Sequence, residues 1–276
     1  MKDALKKLQQ EIYSQGSREQ LDDAAWSAFT QNCVVALMAG GEGSRFKTIS
    51  DSHHVQKNSV TLPNGDTMIE RTIRMYRDAG FKNFAALVFH NADSIINLLG
   101  DGSRLGISIT YSRDPKQPVG KGGAMRHALE NGSIALDRSC IVHNPDDQII
   151  NYDGDFVRDA VAAHLAGTRR GMIATSVVAD GSPYAFTGMK IKDGVVVQTE
   201  MYPHIPVPAH IGVTLFSPAA YEYFPRLFDL NKKIDFESVL FPLLVEERKL
   251  YSFGIPGQCW LAVNDQKALT KLIQSL

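Results

Sequence analysis

Cysteine is scarce in this chain: 276 residues carry three, Cys33, Cys140 and Cys259. They are far apart and include no Cys-x-x-Cys pair, which excludes a disulfide framework and a cysteine-based zinc site. Long apolar runs are missing too, and none approaches the roughly 18 residues that would predict a membrane span. The start, Met1-Lys2-Asp3-Ala4-Leu5-Lys6-Lys7, is charged where a secretory signal would be apolar. A soluble, cytoplasmic protein with no membrane partner is therefore expected. Charge of one sign does not dominate, since 29 Lys and Arg stand against 30 Asp and Glu. That balance excludes a broadly basic nucleic-acid binder and leaves only a local basic patch open. Internal repeats and low-complexity linkers are also lacking.

What is present suits one mixed α/β domain. With 44% hydrophobic residues, a chain of this length buries about three quarters of its unfolded surface and needs no staples. Residues 3–30 show helical spacing at Leu5, Leu8 and Ile12 and again at Leu21, Ala25 and Phe29, with a break at Gln15-Gly16-Ser17. They read as an N-terminal helical extension (1–31) ahead of the main domain (32–276), and as a candidate contact surface for a homo-oligomer. From Cys33 onward, short apolar strands alternate with helical patterns. Cys33–Met38, Phe84–Phe89, Ile107–Tyr111 and Cys140–His143 read as strands. Met68–Ala79, Ala92–Leu99, Gly122–Glu130 and Phe156–Gly167 read as helices. This is the pattern of a layered α/β sheet. The second half is richer in strands, including Ile173–Val178, Gly188–Ile191, Gly194–Thr199 and Gly212–Phe216. Helices are predicted at Ala219–Leu227, at Glu237–Glu247 and from Asp265.

The sharpest local feature follows the first strand: Ala39-Gly40-Gly41-Glu42-Gly43-Ser44-Arg45-Phe46. Adjacent glycines let the backbone approach a ligand, and their N–H groups can cradle phosphate oxygens. Two common phosphate loops do not fit. A dinucleotide fingerprint from Gly41 needs glycine where Phe46 stands, and a P-loop needs Ser or Thr where Gly122 follows Gly120-Lys121.

The loop resembles the L-A-G-G-x-G-T-R signature of the sugar-phosphate nucleotidyltransferases (nucleotide-sugar pyrophosphorylases), with Ser44 for Thr. Gln56-Lys57 stands where that family has a P-K pair. Further stretches are similar in the same order. Asn64–Glu70 matches the family's lead into its first long helix, and Gly100–Ile109 its GDGSxxGVxI segment. Gly120-Lys121-Gly122-Gly123-Ala124 resembles GTAGA, and Asn144-Pro145-Asp146-Asp147-Gln148-Ile149 resembles NGDxI. Together they span roughly residues 33–270. The resemblance implies a Rossmann-like three-layer α/β/α nucleotidyltransferase fold with a mixed, mostly parallel central sheet.

It also implies a reaction, the transfer of NMP from an NTP to a sugar 1-phosphate with release of pyrophosphate. Such a transfer is mainly a matter of positioning and charge neutralisation. The resemblance places Arg45 and Lys57 as catalytic cations. Ala39, Gly40, Gly41, Gly43, Ser44, Gln117, Gly120 and Lys121 fall to the nucleotide. Magnesium, the implied cofactor, takes hard oxygen ligands. Asp147 is the first choice for it, with Asp146 as the alternative. Asn264 is the second ligand, with Asp265 behind it, because the aspartate of a related W-x-D-V-G-T version falls on Ala262. Gly188, Glu200 and His210 match positions that face the sugar.

Departures from the pattern stand at Gln56, Lys121, Ala262 and His210. Gln117 is two residues past the usual base-reading glutamine, whose place Pro115 takes. The base of the NTP and the identity of the phosphorylated acceptor stay open. Two alternatives stand beside the main expectation: a cytidylyltransferase-type enzyme acting on a non-sugar phosphate such as phosphocholine, and a non-catalytic nucleotide-sugar-binding homologue.

Overall fold

The computed structural model describes residues 1–43 and 56–276. Two helices, α1 (Lys2–Ile12) and α2 (Asp23–Gln31), precede strand β1 (Cys33–Ala39). A single 3-10 turn at Lys57–Ser59 leads to α3 (Met68–Asp78), β2 (Asn83–Val88), α4 (Ala92–Leu99) and β3 (Ser108–Arg113). Then come α5 (Gly120–Glu130), β4 (Ser139–His143), β5 (Asp147–Ile149), α6 (Phe156–Arg169) and β6 (Ala174–Ala179). The rest comprises β7 (Ser182–Pro183), β8 (Thr187–Lys192), β9 (Val195–Met201), β10 (His204–Ile205) and β11 (Ala209–Phe216). These are followed by α7 (Tyr223–Leu227), α8 (Phe236–Glu246), β12 (Leu250–Ile255), β13 (Trp260–Ala262) and α9 (Gln266–Gln274).

Seven strands form the central sheet in the order β12-β6-β11-β4-β1-β2-β3. β1 pairs in parallel with β2 and β4, β2 with β3, and β6 with β12, while β11 runs antiparallel to both β4 and β6. The mixed, mostly parallel sheet implied by the sequence is thus present. β1 shows why the layers form. Cys33, Val35, Leu37 and Ala39 enter one core, against α2, α3, α4 and α6. Val34 and Ala36 enter the other, against α5, α7 and α8. A continuous apolar run buries both faces, as a central parallel strand must.

Strand order reverses at β1. The chain passes from β1 outward to β2 and β3, then returns to β4 on the other side. In open α/β sheets a ligand crevice lies at such a reversal, at the carboxyl ends of the strands. The motifs hold this scaffold together. Thr67 and Glu70 form a reciprocal cap at the start of α3, with the Glu70 amide donating to Thr67 Oγ1 and Thr67 N–H to Glu70 Oε2 at 3.0 Å. Arg104, from the glycine-rich segment after α4, pairs with Glu70.

Several elements differ from the sequence reading. Ala219–Leu227 is not one helix but a 3-10 turn at Pro218–Ala220 followed by α7. Pro225 has no N–H for the helical bond back to Tyr221. Strands β5 and β13, which pair antiparallel, were not predicted, because three residues are too few for a periodicity to show.

Within the predicted extension, α2 packs Trp26 and Phe29 edge-on against Phe81, with ring centroids 5.9 and 6.3 Å apart. α1 buries no residue and touches the β8–β9 hairpin through Met1 and Lys2. No helix among the described residues is long and apolar enough to cross a membrane.

Candidate active site

A cleft of about 530 Å³ opens at the carboxyl ends of β1 to β4, where the strand order reverses. Gly40 and Gly41 line it, together with Glu42, Lys57, Asp146, Asn144, Gly120 and Lys121. The glycine loop is held from behind. Gln56, buried, donates its amide to the carbonyls of Ala39 (3.1 Å) and Gly41 (3.3 Å), and its own carbonyl accepts from Asn58 N–H. The residue that replaces the family's proline therefore ties the loop down. Ala39 itself ends β1 fully buried. Gly43 has φ +62° and lies against the stem of Lys57, which a side chain there would crowd. Ser44 and Arg45 lie outside the described residues.

Lys57 crosses the cleft to form an ion pair with Asp146, both side chains being mostly buried. Asp147, the first choice for metal, does not line the cleft. Its Oδ1 accepts from Trp260 Nε1 at 2.9 Å and its Oδ2 from Asn144 Nδ2 at 3.0 Å. Burial above all, and then the charge of Asp146, push its carboxyl up to about 6. Gly212 lets this packing happen. A Cβ there would sit 2.2 Å from both Asn144 Nδ2 and Asp147 Oδ2.

The turn carrying the two aspartates is pinned by a buried relay. His143 Nε2 lies 2.8 Å from the Asp147 carbonyl, which can only accept, so Nε2 carries the proton. Burial drives His143 down to about 4, so the ring is neutral and its Nδ1 accepts from Tyr76 Oη at 2.9 Å.

Val263 N–H donates to the Asp146 carbonyl at 2.7 Å, which brings Asn264 up to the same turn. Asp265 instead accepts from Ala268 N–H and caps α9, which commits its carboxylate to the helix start. No group of three or more ligating side chains occurs among the described residues. An aspartate that lines the cleft suits magnesium, which draws much of its shell from phosphates and water.

Lys121 and His210, assigned separately from the sequence, belong to one cluster. Lys121 Nζ pairs with Glu237, and His210 Nε2 lies 3.5 Å from the same carboxylate. His210 Nδ1 bonds Ser176 Oγ at 2.9 Å. Burial pushes Glu237 up, but His210 and Lys121 outweigh it and hold the carboxyl below its usual range. Sequence reasoning missed Glu237 because the chain brings it from α8, 116 residues from its lysine partner.

Three other positions are placed away from the cleft lining. Gln117 donates to the Asn231 carbonyl at 2.6 Å. Gly188 and Glu200 are paired neighbours on the β8–β9 hairpin. Glu200 sits 3.9 Å from Lys2, and its Oε2 is buried without a hydrogen-bond partner among the described residues.

Comparison with known proteins gives a consistent family. The family model described as "Nucleotidyl transferase" matches residues 34–276. Mannose-1-phosphate guanyltransferase of Pichia angusta is 26% identical over 239 residues, covering 84% of this chain and 60% of the relative. Glucose-1-phosphate thymidylyltransferase of Streptomyces griseus is 29% identical over 193 residues, covering 67% of this chain and 50% of the relative. The chain thus spans only about half to three fifths of these relatives. Among solved structures, a Bacillus anthracis protein provisionally assigned as a glucose-1-phosphate thymidylyltransferase superposes with a TM-score of 0.66 at 17% identity. That match covers 88% of this chain and 94% of the other, and it shows the shared fold.

Proposed function

Because the chain belongs to the nucleotidyl transferase family, we propose that its cleft transfers a nucleoside monophosphate from an NTP to a sugar 1-phosphate. The observation that carries this reading is the convergence of Gly40, Gly41, Lys57, Asp146 and Lys121 on one crevice at the strand-order reversal. The acceptor's phosphate oxygen attacks the α-phosphorus. The bond from that phosphorus to the α–β bridging oxygen breaks, and pyrophosphate leaves.

In this account the N–H groups of Gly40 and Gly41 hold phosphate oxygens at the end of β1. Lys57 leaves its pairing with Asp146 and moves its charge onto the phosphates. Arg45, by resemblance, forks onto the same oxygens. Asp146 would hold magnesium, with Asn264 as the second oxygen donor by resemblance, and Asp147 sets the turn on which Asp146 stands. When bound, the metal supplies positive charge where negative charge gathers on the phosphates.

The acceptor lies toward β11, where Lys121, Glu237 and His210 meet. The test is pyrophosphate release with magnesium, scanning NTPs against sugar 1-phosphates and phosphocholine. Release with a sugar 1-phosphate is expected. Release with phosphocholine alone would move the activity to the non-sugar class. Binding of an NDP-sugar without release under any pairing would overturn catalysis in favour of a sensing homologue.

A further inference from the structure

The β8–β9 hairpin turns its apolar face to solvent. Its two strands form a sheet of their own, and a two-stranded hairpin is marginally stable unless something packs against it. The register sorts the side chains. Gly188 pairs with Glu200 and Lys190 with Gln198 on one face, while Met189 pairs with Thr199 and Ile191 with Val196 on the other. The polar face is the one that meets the rest of the chain. The Met1 amino group donates to Gln198 Oε1 at 2.8 Å, and Lys2 stands 3.9 Å from Glu200. A Cβ on Gly188 would sit 2.7 Å from Pro203 Cγ and 3.3 Å from Met1 Cε.

The face turned away carries Met189, Ile191, Val196 and Met201, between 48% and 69% exposed, with Thr187 and Thr199 among them. No charged side chain lies on it. A strand pair that is half solvated normally buries its apolar side and shows its polar one. This hairpin does the reverse. Of the fourteen large apolar side chains exposed among the described residues, ten fall between 184 and 207. Half to two thirds exposed, at about 100 Å² apiece, they present roughly 1,000 Å². The largest apolar patch on a typical monomer is about 300–600 Å², and each partner gives about 800 Å² to a standard interface.

The chemistry of the face narrows what covers it. A partner of opposite charge finds nothing to hold there, because Lys190, Lys192 and Glu200 belong to the other face. An uncharged apolar face can lie against its own copy without setting like charges together, as an isologous twofold contact requires. Stacked at the usual spacing of about 10 Å between packed sheets, two such faces bury each other's Met189, Ile191, Val196 and Met201. We propose that the chain forms a twofold dimer in which the β8–β9 hairpins of two copies stack apolar face to apolar face. In that dimer α1 braces each hairpin from its polar side.

The test is sedimentation velocity over the micromolar range on the wild type, Ile191→Lys and Lys192→Glu. The wild type is expected to sediment as a dimer. Ile191→Lys sets two like charges into the contact and should raise the dimer's Kd at least about 100-fold, with an unchanged circular dichroism spectrum to show that it folds. Lys192→Glu, on the other face, should leave Kd within about threefold. Met189→Cys gives a second reading that does not depend on an added charge. The three native cysteines are buried, so a short bis-maleimide should join two copies through the thiol introduced at position 189. A wild type that stays monomeric, or that pairs only with a different protein, would overturn the proposal. A dimer that survives Ile191→Lys, weakens as much in Lys192→Glu, or fails to cross-link through position 189 would place the contact elsewhere and overturn it too.

Discussion

Two adjacent aspartates divide the labour at one turn. Asp146 faces the cleft and Lys57, whereas both oxygens of Asp147 are occupied by Trp260 and Asn144. The predicted consequences differ in kind. Asp146→Asn should lower kcat/KM by about 10²–10³-fold, the loss typical of removing one electrostatic stabiliser of a developing charge, with little change in melting temperature. Asp147→Asn places an amide NH₂ against one of its two donors. It should therefore destabilise the fold by about 1–3 kcal/mol and leave turnover much less affected. Steady-state kinetics and thermal melts on both variants check this. The reverse pattern would return the metal-ligand role to Asp147.

This pair also shows how the motif could be read two ways. Counted forward from Asn144, the aspartate of NGDxI falls at 146. Counted back from Ile149, it falls at 147. Only the folded turn separates the two registers. Gln56 is a similar case. It looked like a departure from the pattern, yet its amide does the loop-fixing that the sequence could not reveal.

At the scale of elements, the sheet strands and long helices were legible because their apolar periodicities are strong. The short β5 and β13, and the break before α7, were not. The contacts that assemble the site come from elements distant in sequence. α8 delivers Glu237 to Lys121, and β13 delivers Asn264 to the aspartate turn, and no local pattern encodes those meetings.

Packing between elements gives two further predictions. Gly122 lies so close to Phe228 that an added Cβ would sit 2.2 Å from the ring. Gly122→Ala should cost about 1–3 kcal/mol by overpacking and displace the start of α5, raising KM for the NTP more than for the acceptor. Denaturant melts and kinetics check it.

His164 ties α6 to β6 and to the segment after β11. Its Nδ1 bonds Thr175 Oγ1 at 2.9 Å and its Nε2 lies 3.2 Å from Ser217 Oγ. Burial lowers its titration from 6.5 to about 4. The folded state therefore binds this proton less readily than the unfolded chain. Stability from this residue is intact above about pH 6.5 and drains away as pH falls toward 4, by an amount on the order of 3 kcal/mol. Melting temperature measured across that range should fall in the wild type and fall less steeply in His164→Gln. Equal slopes would contradict the assignment.

For the whole molecule, the family, the layered fold and most of the cleft follow from motifs that occur in the right order along the chain. The identity of the base and of the acceptor does not, because side chains such as Lys121, Glu237 and His210 meet only in the folded chain. The central claim is that an acceptor phosphate oxygen attacks the α-phosphorus of the NTP. It is tested most directly by incubating the protein with magnesium, GTP or dTTP, and mannose or glucose 1-phosphate labelled with heavy oxygen throughout the phosphate. Mass spectra of the products should show every labelled oxygen retained in the NDP-sugar and unlabelled pyrophosphate. Formation of NDP with a doubly phosphorylated sugar, or label in the pyrophosphate, would contradict it.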